Sequence, residues 1–348
     1  MTNSTWQQSA MNGNYLDTNN WTQANIPDAN SIAFFGTSVQ TTISNITGSV
    51  GSWIFNIGAS NYDFTIGIVW SFFGDGIIVN GGAVTIHVSD QVQFLNNSSA
   101  GKATIFISGG NLDFHDGSTA GTADIENVDG TLLFSDNSTG GTATIDTSGS
   151  ATVDFSESSG PAGDHRLTVG SIAGVGSYDL GRNQLTVGGN GQSTTVGGAI
   201  SDGGTGGGSG GSLVKVGYGT LTLTGANNTY SGGTTLRAGA LDLGAIGAAG
   251  TGPIIFTPGK QTLKIEDTAL SDRRFGNAID DFGKKDILDL TGLHFHAGAT
   301  AKYHHATHLL AVHSGSVTDT LTLNAPASTH FSVEHDGHGG SEVFLVFA

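Results

Sequence analysis

The stretch from residue 98 to residue 155 repeats itself with a period of about 20 residues, which limits what the chain can fold into more than any other feature does. Short blocks of small and branched residues recur at this spacing. Phenylalanines follow the same period at Phe94, Phe114, Phe134 and Phe155. A fixed period of this length is the signature of a solenoid, in which each repeat is one structural unit.

Within each repeat, apolar and polar residues alternate. Leu112 and Phe114 flank Asp113 in one segment, and the same alternation surrounds Thr104 in the other. A period of two indicates β-strands, with the aliphatic and aromatic residues inside and the Thr and Asp residues outside. The segments between the strands are rich in Gly and Asn, which tolerate the positive φ of tight corners. Each repeat is therefore predicted to be one rung of an all-β parallel β-helix, with about 20 residues per rung, which is stable only when stacked.

The composition agrees with this fold and excludes several partners. Gly accounts for 56 of 348 residues, more than twice the usual share of about 7%. Lys and Arg total 12 against 29 Asp and Glu, and the resulting net charge of −17 argues against nucleic acid or an anionic membrane as a partner. No segment is long and apolar enough to predict membrane insertion. The absence of Cys is usual in exported bacterial proteins and favours an extracellular location.

Three regions are predicted from changes in composition. Residues 1–45 carry bulky aromatic residues and are predicted to form an N-terminal cap. Residues 46–265 are predicted to form the parallel β-helix, although the Gly-rich segment 202–211 within it is interpreted as a flexible excursion. Residues 266–348 are more highly charged and are predicted to form a distinct β-rich region that serves as an export signal or an assembly module.

Residues 211–243 carry a recognisable motif. They contain Lys215, a Gly-Tyr-Gly-Thr-Leu-Thr-Leu run at 217–223, Asn227, Tyr230 and an Ala-Leu-Asp-Leu block that ends at Leu243. This segment resembles the autotransporter-associated β-strand repeat of bacterial passenger proteins, and the resemblance implies a right-handed parallel β-helix at or outside the cell surface. Trp6 and Trp21 resemble the start of such passengers. The side chain of Asn227 is expected at a buried corner, where its amide would bond a neighbouring rung.

The C-terminal region resembles a second class of exported proteins. The pattern from Phe282 to Phe295, followed by Thr320 to Leu323 and by the acidic and Gly-rich run near Asp336, is similar to C-terminal regions of bacterial type I secreted proteins. That resemblance implies an uncleaved C-terminal export signal, for which the apolar residues 343–347 are suited. The first residues lack the basic and apolar regions of a signal peptide, so export without a cleaved leader is expected.

The rung corners carry a ladder of oxygen-bearing side chains. Asn96, Asp116, Asp136 and Glu157 each stand two positions after a ladder phenylalanine. Stacked at rung spacing, the oxygens of Asp116, Asp136 and Glu157 are candidate ligands for calcium, which takes 6 to 8 oxygen ligands at about 2.3–2.6 Å. The alternative is that these residues only shape the turns, because Asp and Asn side chains bond their own backbone there.

A polysaccharide lyase or glycoside hydrolase is the enzymatic alternative. Hydrolysis of a glycosidic bond needs two carboxylates about 5–9 Å apart. The outward position next to the ladder phenylalanines reads Asp113, Leu133 and Asp154, so that the acids are separated by two rungs and no pair forms. No catalytic residue is therefore assigned, and the chain is not predicted to be an enzyme.

Nine of the 12 His residues lie between His294 and His338. His294 and His296 are predicted to share one face of a strand, which makes them candidate ligands for a transition metal or sensors of acid pH. A further alternative, a flat ice-binding array of threonines near Thr104 and Thr144, is disfavoured because Lys102 and Asp124 interrupt the columns.

Taken together, these patterns predict an extracellular structural or adhesive β-solenoid without an established cofactor. Because a solenoid exposes an unlike edge at each end, the predicted partner is a second copy of the chain, joined head to tail into a surface fibre or matrix. Glycans on a cell or host surface are the second class of partner considered. A polysaccharide-binding or polysaccharide-degrading β-helix is the alternative function.

Overall fold

A computed structural model describes residues 2–325 and 330–346 of the chain. It is an all-β solenoid of about 12 turns, with about 22 residues per turn and nearly no helix. The predicted parallel β-solenoid is thus confirmed. The average turn is longer than the predicted period because some rungs carry longer corners. Thr152 and Ser177, for example, are register partners in adjacent strands although their separation along the chain exceeds the period.

The elements are almost all short strands. From the start of the chain these are β1 (Ser4–Thr5), β2 (Ile32–Phe35), β3 (Thr42–Ile43), β4 (Gly48–Phe55), β5 (Tyr62–Ile66), β6 (Trp70–Val79), β7 (Val84–Val88), β8 (Gln91–Phe94), β9 (Thr104–Ile107), β10 (Asn111–Phe114), β11 (Asp124–Asn127), β12 (Thr131–Asp136), β13 (Thr144–Thr147), β14 (Thr152–Ser158), β15 (Arg166–Thr168), β16 (Ser171–Gly174) and β17 (Ser177–Asp179). They continue as β18 (Gln184–Val187), β19 (Thr194–Val196), β20 (Ile200–Ser201), β21 (Ser212–Lys215), β22 (Thr220–Leu223), β23 (Thr234–Leu236), β24 (Gly239–Leu243), β25 (Ile254–Phe256), β26 (Gln261–Ile265), β27 (Arg274–Asp280), β28 (Ile287–Leu290), β29 (Thr300–His304), β30 (Leu309–Ser314), β31 (Val317–Asn324), β32 (His330–His335) and β33 (Ser341–Val346). Three 3₁₀ helices of one turn span Thr18–Asn20, Thr22–Ala24 and Asp267–Ala269.

The chain divides into two compact units. The first comprises residues 2–171, 176–179 and 204–206, and the second comprises residues 172–175, 180–203 and the described residues from 207 onward. In the first unit one parallel sheet contains β1, β2, β4, β6, β8, β10, β12, β14 and β17, and another contains β3, β5, β7, β9, β11 and β13. From β2 to β14 successive strands therefore alternate between two sheets, and each turn adds one strand to each sheet.

A column of stacked phenylalanines runs through the core of the first unit. The ring centroids of Phe72, Phe94, Phe114, Phe134 and Phe155 are separated in turn by 4.7, 4.9, 5.1 and 4.9 Å, and adjacent rings are tilted by 12° or less. All five side chains are fully buried. The ring spacing is close to the 4.7–4.9 Å between hydrogen-bonded strands, so the strand register itself places each ring on the one before it.

The aliphatic positions of the repeat face the core as predicted, but two acidic positions do not face solvent. Asp113 and Asp154 alternate with the core residues as predicted, but they are only 5% and 3% exposed, so both outward positions are covered. Asp154 accepts hydrogen bonds from the backbone N–H groups of Ser156 at 2.8 Å and Thr205 at 2.7 Å. The Gly-rich segment is therefore docked on Asp154 at residues 204–206, and its interpretation as a flexible excursion is wrong at this point.

The first rung contains the bulky aromatic side chains that the sequence predicts for the N-terminal cap. Trp6, Tyr15 and Trp21 are buried and pack edge to face, with Trp6 and Trp21 centroids 5.1 Å apart. The segment with the first two 3₁₀ helices lies beside β1, where the Thr5 N–H donates to Thr22 Oγ1 at 2.9 Å. This contact covers the edge of β1, an arrangement that limits strand addition.

In the second unit the parallel pairing extends beyond residue 265. One sheet runs through β16, β19, β22, β24, β26 and β28, and another runs through β18, β21, β23, β25, β27 and β31. Of the strands after β28, β31 still pairs parallel with β27, whereas β33 and β32 are added antiparallel to the first sheet and β30 and β29 antiparallel to the second. The change in composition at residue 266, where a distinct region was predicted to begin, is thus followed by one more parallel rung before antiparallel pairing begins.

One predicted corner residue is shifted by a position. Asn227 is exposed, whereas Asn228 is 4% exposed. The Asn228 side chain accepts from the Ile200 N–H at 2.7 Å and donates to the Ala248 carbonyl at 2.6 Å. The expected amide bridge between rungs therefore exists, but it is made by Asn228.

Among the described residues there is no helix of the length and apolarity that crossing a bilayer requires.

The phenylalanine column generates the first prediction. Replacing Phe134 by Ala removes a ring stacked on both sides, so we expect a loss of about 3–5 kcal/mol in the free energy of unfolding. Urea titration followed by circular dichroism measures this loss. The control is Tyr218→Ala at a side chain that is 95% exposed, and equal destabilisation by both changes would contradict the importance of the column.

Candidate functional site

A line of charged side chains crosses the sheet of the second unit that contains β24, β26 and β28. Register pairs Asp242 with Lys264, Lys264 with Asp289, Asp289 with Glu342, and Glu342 with Glu334. Because successive strand residues point to opposite faces, the buried Leu241 and its equivalents face the core while these five face outward. We call these five residues the charge line.

The line holds four carboxylates and one ammonium group. Lys264 Nζ lies 3.6 Å from Asp289 Oδ2, and Asp289 is only 5% exposed. Oδ1 of Asp289 and Oδ1 of Asp242 are buried, and within the described part of the chain neither has a hydrogen-bond partner. A single lysine therefore lies among several partly desolvated acids. Because like charges directly opposite one another destabilise a sheet, the uncompensated acids of this line are unfavourable when ionised.

These surroundings raise the pKa of three of the acids. Burial raises the pKa of Asp242, and the neighbouring Glu266 and Asp289 add to the effect. The pKa of Asp289 is raised by burial, against the opposing effect of Lys264. For Glu342, burial and the charge of Asp289 again raise the pKa. The charge line therefore takes up protons at a higher pH than isolated carboxyl groups do.

The geometry allows proton uptake but encloses no substrate. The charge line does not border the two cavities of about 530 and 620 Å³ in this unit. Among residues 2–325 and 330–346, no group of three or more His, Asp or Glu side chains is placed to hold a metal ion. The arrangement thus offers exchangeable protons on partly buried carboxyl groups along one sheet.

The charge line lies outside the regular repeat of residues 98–155, in which paired acids were sought, and the sequence-based interpretation missed it. The signal was nonetheless present: a charged residue stands between two aliphatic residues at 241–243, 263–265 and 288–290. The unequal spacings between these three blocks obscure the period. The fourth residue of the line, Glu342, lies on an antiparallel strand that no repeat predicts.

The residues of the predicted calcium ladder shape turns. Asn96, Asp116 and Asp136 all have positive φ, between 54° and 58°. Asp116 Oδ2 accepts from the Asn96 N–H at 2.8 Å, and Asp136 Oδ2 accepts from the Asp116 N–H at 3.2 Å. Glu157 does not continue the column, because a bulge places it opposite Ser135. Calcium binding stays a prediction. The positive φ values fit the turn interpretation, but the side-chain contacts join neighbouring rungs and are not bonds to the residues' own backbone.

The acids considered for catalysis are not brought together as a hydrolytic pair. Asp113 and Asp154 remain two rungs apart, with Leu133 between them. Their description as isolated acids is nevertheless incomplete, since Asp154 lies opposite Asp179 in the next rung. Both oxygens of Asp154 accept backbone N–H groups, so this side chain anchors the loop at residues 204–206.

The predicted pair of histidines is not on a strand. His294 and His296 are exposed in the connection between β28 and β29, which corrects their predicted common strand face. The His296 ring lies beside Gly315, and the His294 ring is near Gly339. The backbone is fixed by Ser314, which donates to the His294 carbonyl at 2.6 Å and accepts from the His296 N–H at 2.8 Å. A transition-metal site remains a prediction only.

Lys215 is the most unusual basic residue of the second unit. It is 1% exposed, and Nζ donates to the carbonyl oxygens of Val216, Gly217 and Ala238 at 2.8, 3.0 and 3.2 Å. Burial lowers the pKa of Lys215 to about 8. A Cβ on Gly239 would lie 2.9 Å from Nζ, so glycine leaves room for the buried ammonium group.

The segment around Lys215 matches a known family. Residues 213–243 match the passenger-associated-transport-repeat family. With the solenoid, this fits an autotransporter passenger-type β-helix. This segment, which we call the passenger repeat, thus comprises β21 to β24, and Lys215 is buried at one of its corners. Comparisons with curated proteins and with solved structures gave no match. The likeness of residues 266–348 to type I secreted proteins is not supported by these comparisons and stays a prediction.

The Lys215 ammonium group in the passenger repeat gives the second prediction. Lys215→Met leaves three carbonyls without their donor, and we expect a loss of about 1–3 kcal/mol at neutral pH. Because the pKa of Lys215 is lower in the folded than in the unfolded state, the unfolded chain binds more protons between about pH 8 and about pH 10. The stability of the unmodified chain should therefore rise with pH in this window, relative to the variant.

Urea titrations at several pH values measure the difference. Lys102→Met is the matched control at an exposed lysine and should change neither the stability nor its pH dependence. A Lys215→Met variant whose stability runs parallel to that of the unmodified chain across this window would disprove the buried ammonium group.

The charge line gives the third prediction. Glu342→Gln removes the middle one of three carboxylates that lie opposite one another on adjacent strands, and we expect a gain of about 0.2–1 kcal/mol at neutral pH. Since the pKa of Glu342 is raised on folding, the folded chain binds more protons and gains stability as the pH falls through this pKa. The advantage of the variant should therefore disappear in acid.

Unfolding midpoints at pH values on both sides of the carboxyl pKa values test this expectation. Asp124→Asn provides a control at an exposed acid that lies opposite two threonines, Thr104 and Thr144. If Glu342→Gln were neutral at pH 7, or more stabilising in acid than at neutral pH, the charge line would not be under electrostatic strain.

Proposed function

We propose that the chain acts as a structural scaffold of the passenger type, on the surface of a bacterium or secreted from it. The observation that carries this proposal is the match of the passenger repeat within a parallel solenoid. The passenger-repeat family suggests a secreted or surface protein of bacteria. A stack of rungs suits this role. The core side chains stack on one another between rungs, and the outward side chains can vary without changing that stacking.

The scaffold proposal is supported by the chemistry of the candidate site. The carboxylates of the charge line lie along a sheet and line neither of the cavities described above, whereas enzymes place reacting groups in clefts. The oxygens of Asp154 are occupied by backbone donors.

The covered edge of β1 favours single chains over fibres. Thr22 covers this edge through its hydroxyl, which accepts from the Thr5 N–H at 2.9 Å. Covered edges limit strand addition between chains. Head-to-tail assembly stays a prediction from the sequence, and the scaffold proposal does not need it.

Localisation tests the proposal, and it is our fourth prediction. Antibody raised against the folded chain should label intact cells of the native bacterium, or the chain should be recovered from the medium. Control proteins of the periplasm and cytoplasm should be labelled only after permeabilisation. If the chain too were labelled only in permeabilised cells, the passenger role would be wrong.

The assembly state is measured separately on the purified chain. Light scattering after gel filtration should give the 35.3 kDa mass of one chain, and negative-stain electron microscopy should show separate particles. Uniform fibres would overturn the preference for single chains and would establish the head-to-tail assembly that is expected from the sequence.

A further inference from the structure

Three buried serines recur with the period of the first unit. Ser98, Ser118 and Ser138 are each 0% exposed, and the N–H of each donates to the carbonyl oxygen of the residue three positions earlier. The carbonyl oxygens of Ser98 and Ser118 accept from the N–H groups of Thr119 and Thr139 on the following rungs, at 3.0 and 3.1 Å. The three serines therefore occupy equivalent places on successive rungs, and we call them the serine column.

The hydroxyl groups of the serine column have no hydrogen-bond partner among the described residues. A buried hydroxyl without a partner costs free energy. In native proteins, buried polar side chains are nearly always bonded to the protein or to ordered water. Three equivalent hydroxyls in a row therefore indicate a partner that is held by the repeat itself.

The rung spacing separates these hydroxyls too far for direct bonds between them. The rings of Phe94, Phe114 and Phe134, which belong to the same rungs, have centroids 4.9 and 5.1 Å apart. Equivalent hydroxyl oxygens are thus about 5 Å apart, the spacing of hydrogen-bonded strands. One hydrogen bond between two oxygens spans only about 2.5–3.0 Å, but two such bonds that meet at one water molecule span about 5 Å.

The side chains next to the serine column are small. The following inward position on each rung is occupied by Ala100, Ala120 or Gly140, and all three residues are buried. A buried water needs space and two to four polar partners. The small neighbours leave space beside the hydroxyls, and a water between two serines has two partners.

The serine column ends where the sequence of the rung changes. On one side Gly76 pairs with Ser99, so that the exposed Asp75 stands at the register position of Ser98. On the other side the Ser158 hydroxyl already donates to the Ser138 carbonyl at 2.8 Å. The column therefore has three members and two intervals between them.

We infer that two water molecules are bound inside the first unit, one between the hydroxyls of Ser98 and Ser118 and one between those of Ser118 and Ser138. The two waters and three hydroxyls form one hydrogen-bonded file across three rungs. Bonds in such a chain polarise and strengthen one another, and a bridging water is nearly as favourable as a direct bond. The file joins neighbouring rungs at this corner, and the scaffold role does not depend on it.

A high-resolution crystal structure tests the inference directly. It should show two density peaks, each about 2.5–3.0 Å from the Oγ atoms of two serines of the column. Both peaks should be lost in Ser118→Ala, because that hydroxyl is shared by both waters. Ser108→Ala, at an exposed serine of the first unit, should retain both. The inference is overturned if the unmodified chain has no density between the serines, or if their hydroxyls bond a carbonyl oxygen directly.

The stability of the first unit provides a second readout. All four tryptophans of the chain lie in this unit, so their fluorescence in urea follows its unfolding. Ser118→Ala should lower the urea midpoint and raise the unfolding equilibrium constant about three- to tenfold, whereas Ser108→Ala should change neither. An unchanged or raised midpoint in Ser118→Ala would show that the hydroxyl has no partner to lose and would also overturn the inference.

Discussion

Stacking between equivalent side chains of successive rungs is the interaction on which the first unit depends. Its rings, from Phe72 to Phe155, are separated by distances that differ little from the spacing of hydrogen-bonded strands. A strand that slipped by one residue would turn its phenylalanine to the outside. The same register therefore satisfies the backbone hydrogen bonds and the core together, and neither could be kept without the other.

The outward positions are consequently not constrained by packing in the core, and the charged side chains lie there. The charge line uses residues that the core does not need. Where outward groups are nevertheless buried, a contact explains it: Asp154 receives the backbone of residues 204–206, and Asp289 lies between Lys264 and Glu342 on the neighbouring strands. The passenger repeat differs in that its own basic residue, Lys215, is turned inward to hold three carbonyls of a corner.

The sequence predicted what depends on periodicity and failed where distant segments meet. The phenylalanine spacing specified the rungs, and the alternation around Thr104 specified which side chains face the core. The burial of Asp154 depends on a loop that is distant in the sequence, and the charge line depends on an antiparallel strand, so no local pattern reveals them. Asn227 and Asn228 are adjacent and chemically identical, and only the corner geometry decides which of them is buried. His294 and His296 alternate as strand residues do, yet Ser314 holds their backbone in a connection.

Deleting one whole rung is the decisive test of the stacked period. Deletion of residues 96–115 joins Leu95 to Asp116, which stands at the register position of Asn96. Phe94 then stacks on Phe134, and every neighbouring column is preserved. Deletion of residues 96–105 removes half a rung and places unlike side chains on one another. We expect the whole-rung deletion to fold with a native β-sheet spectrum and to unfold cooperatively, while the half-rung deletion does not fold. If both deletions unfold the chain alike, the stacked period is not what holds the structure together.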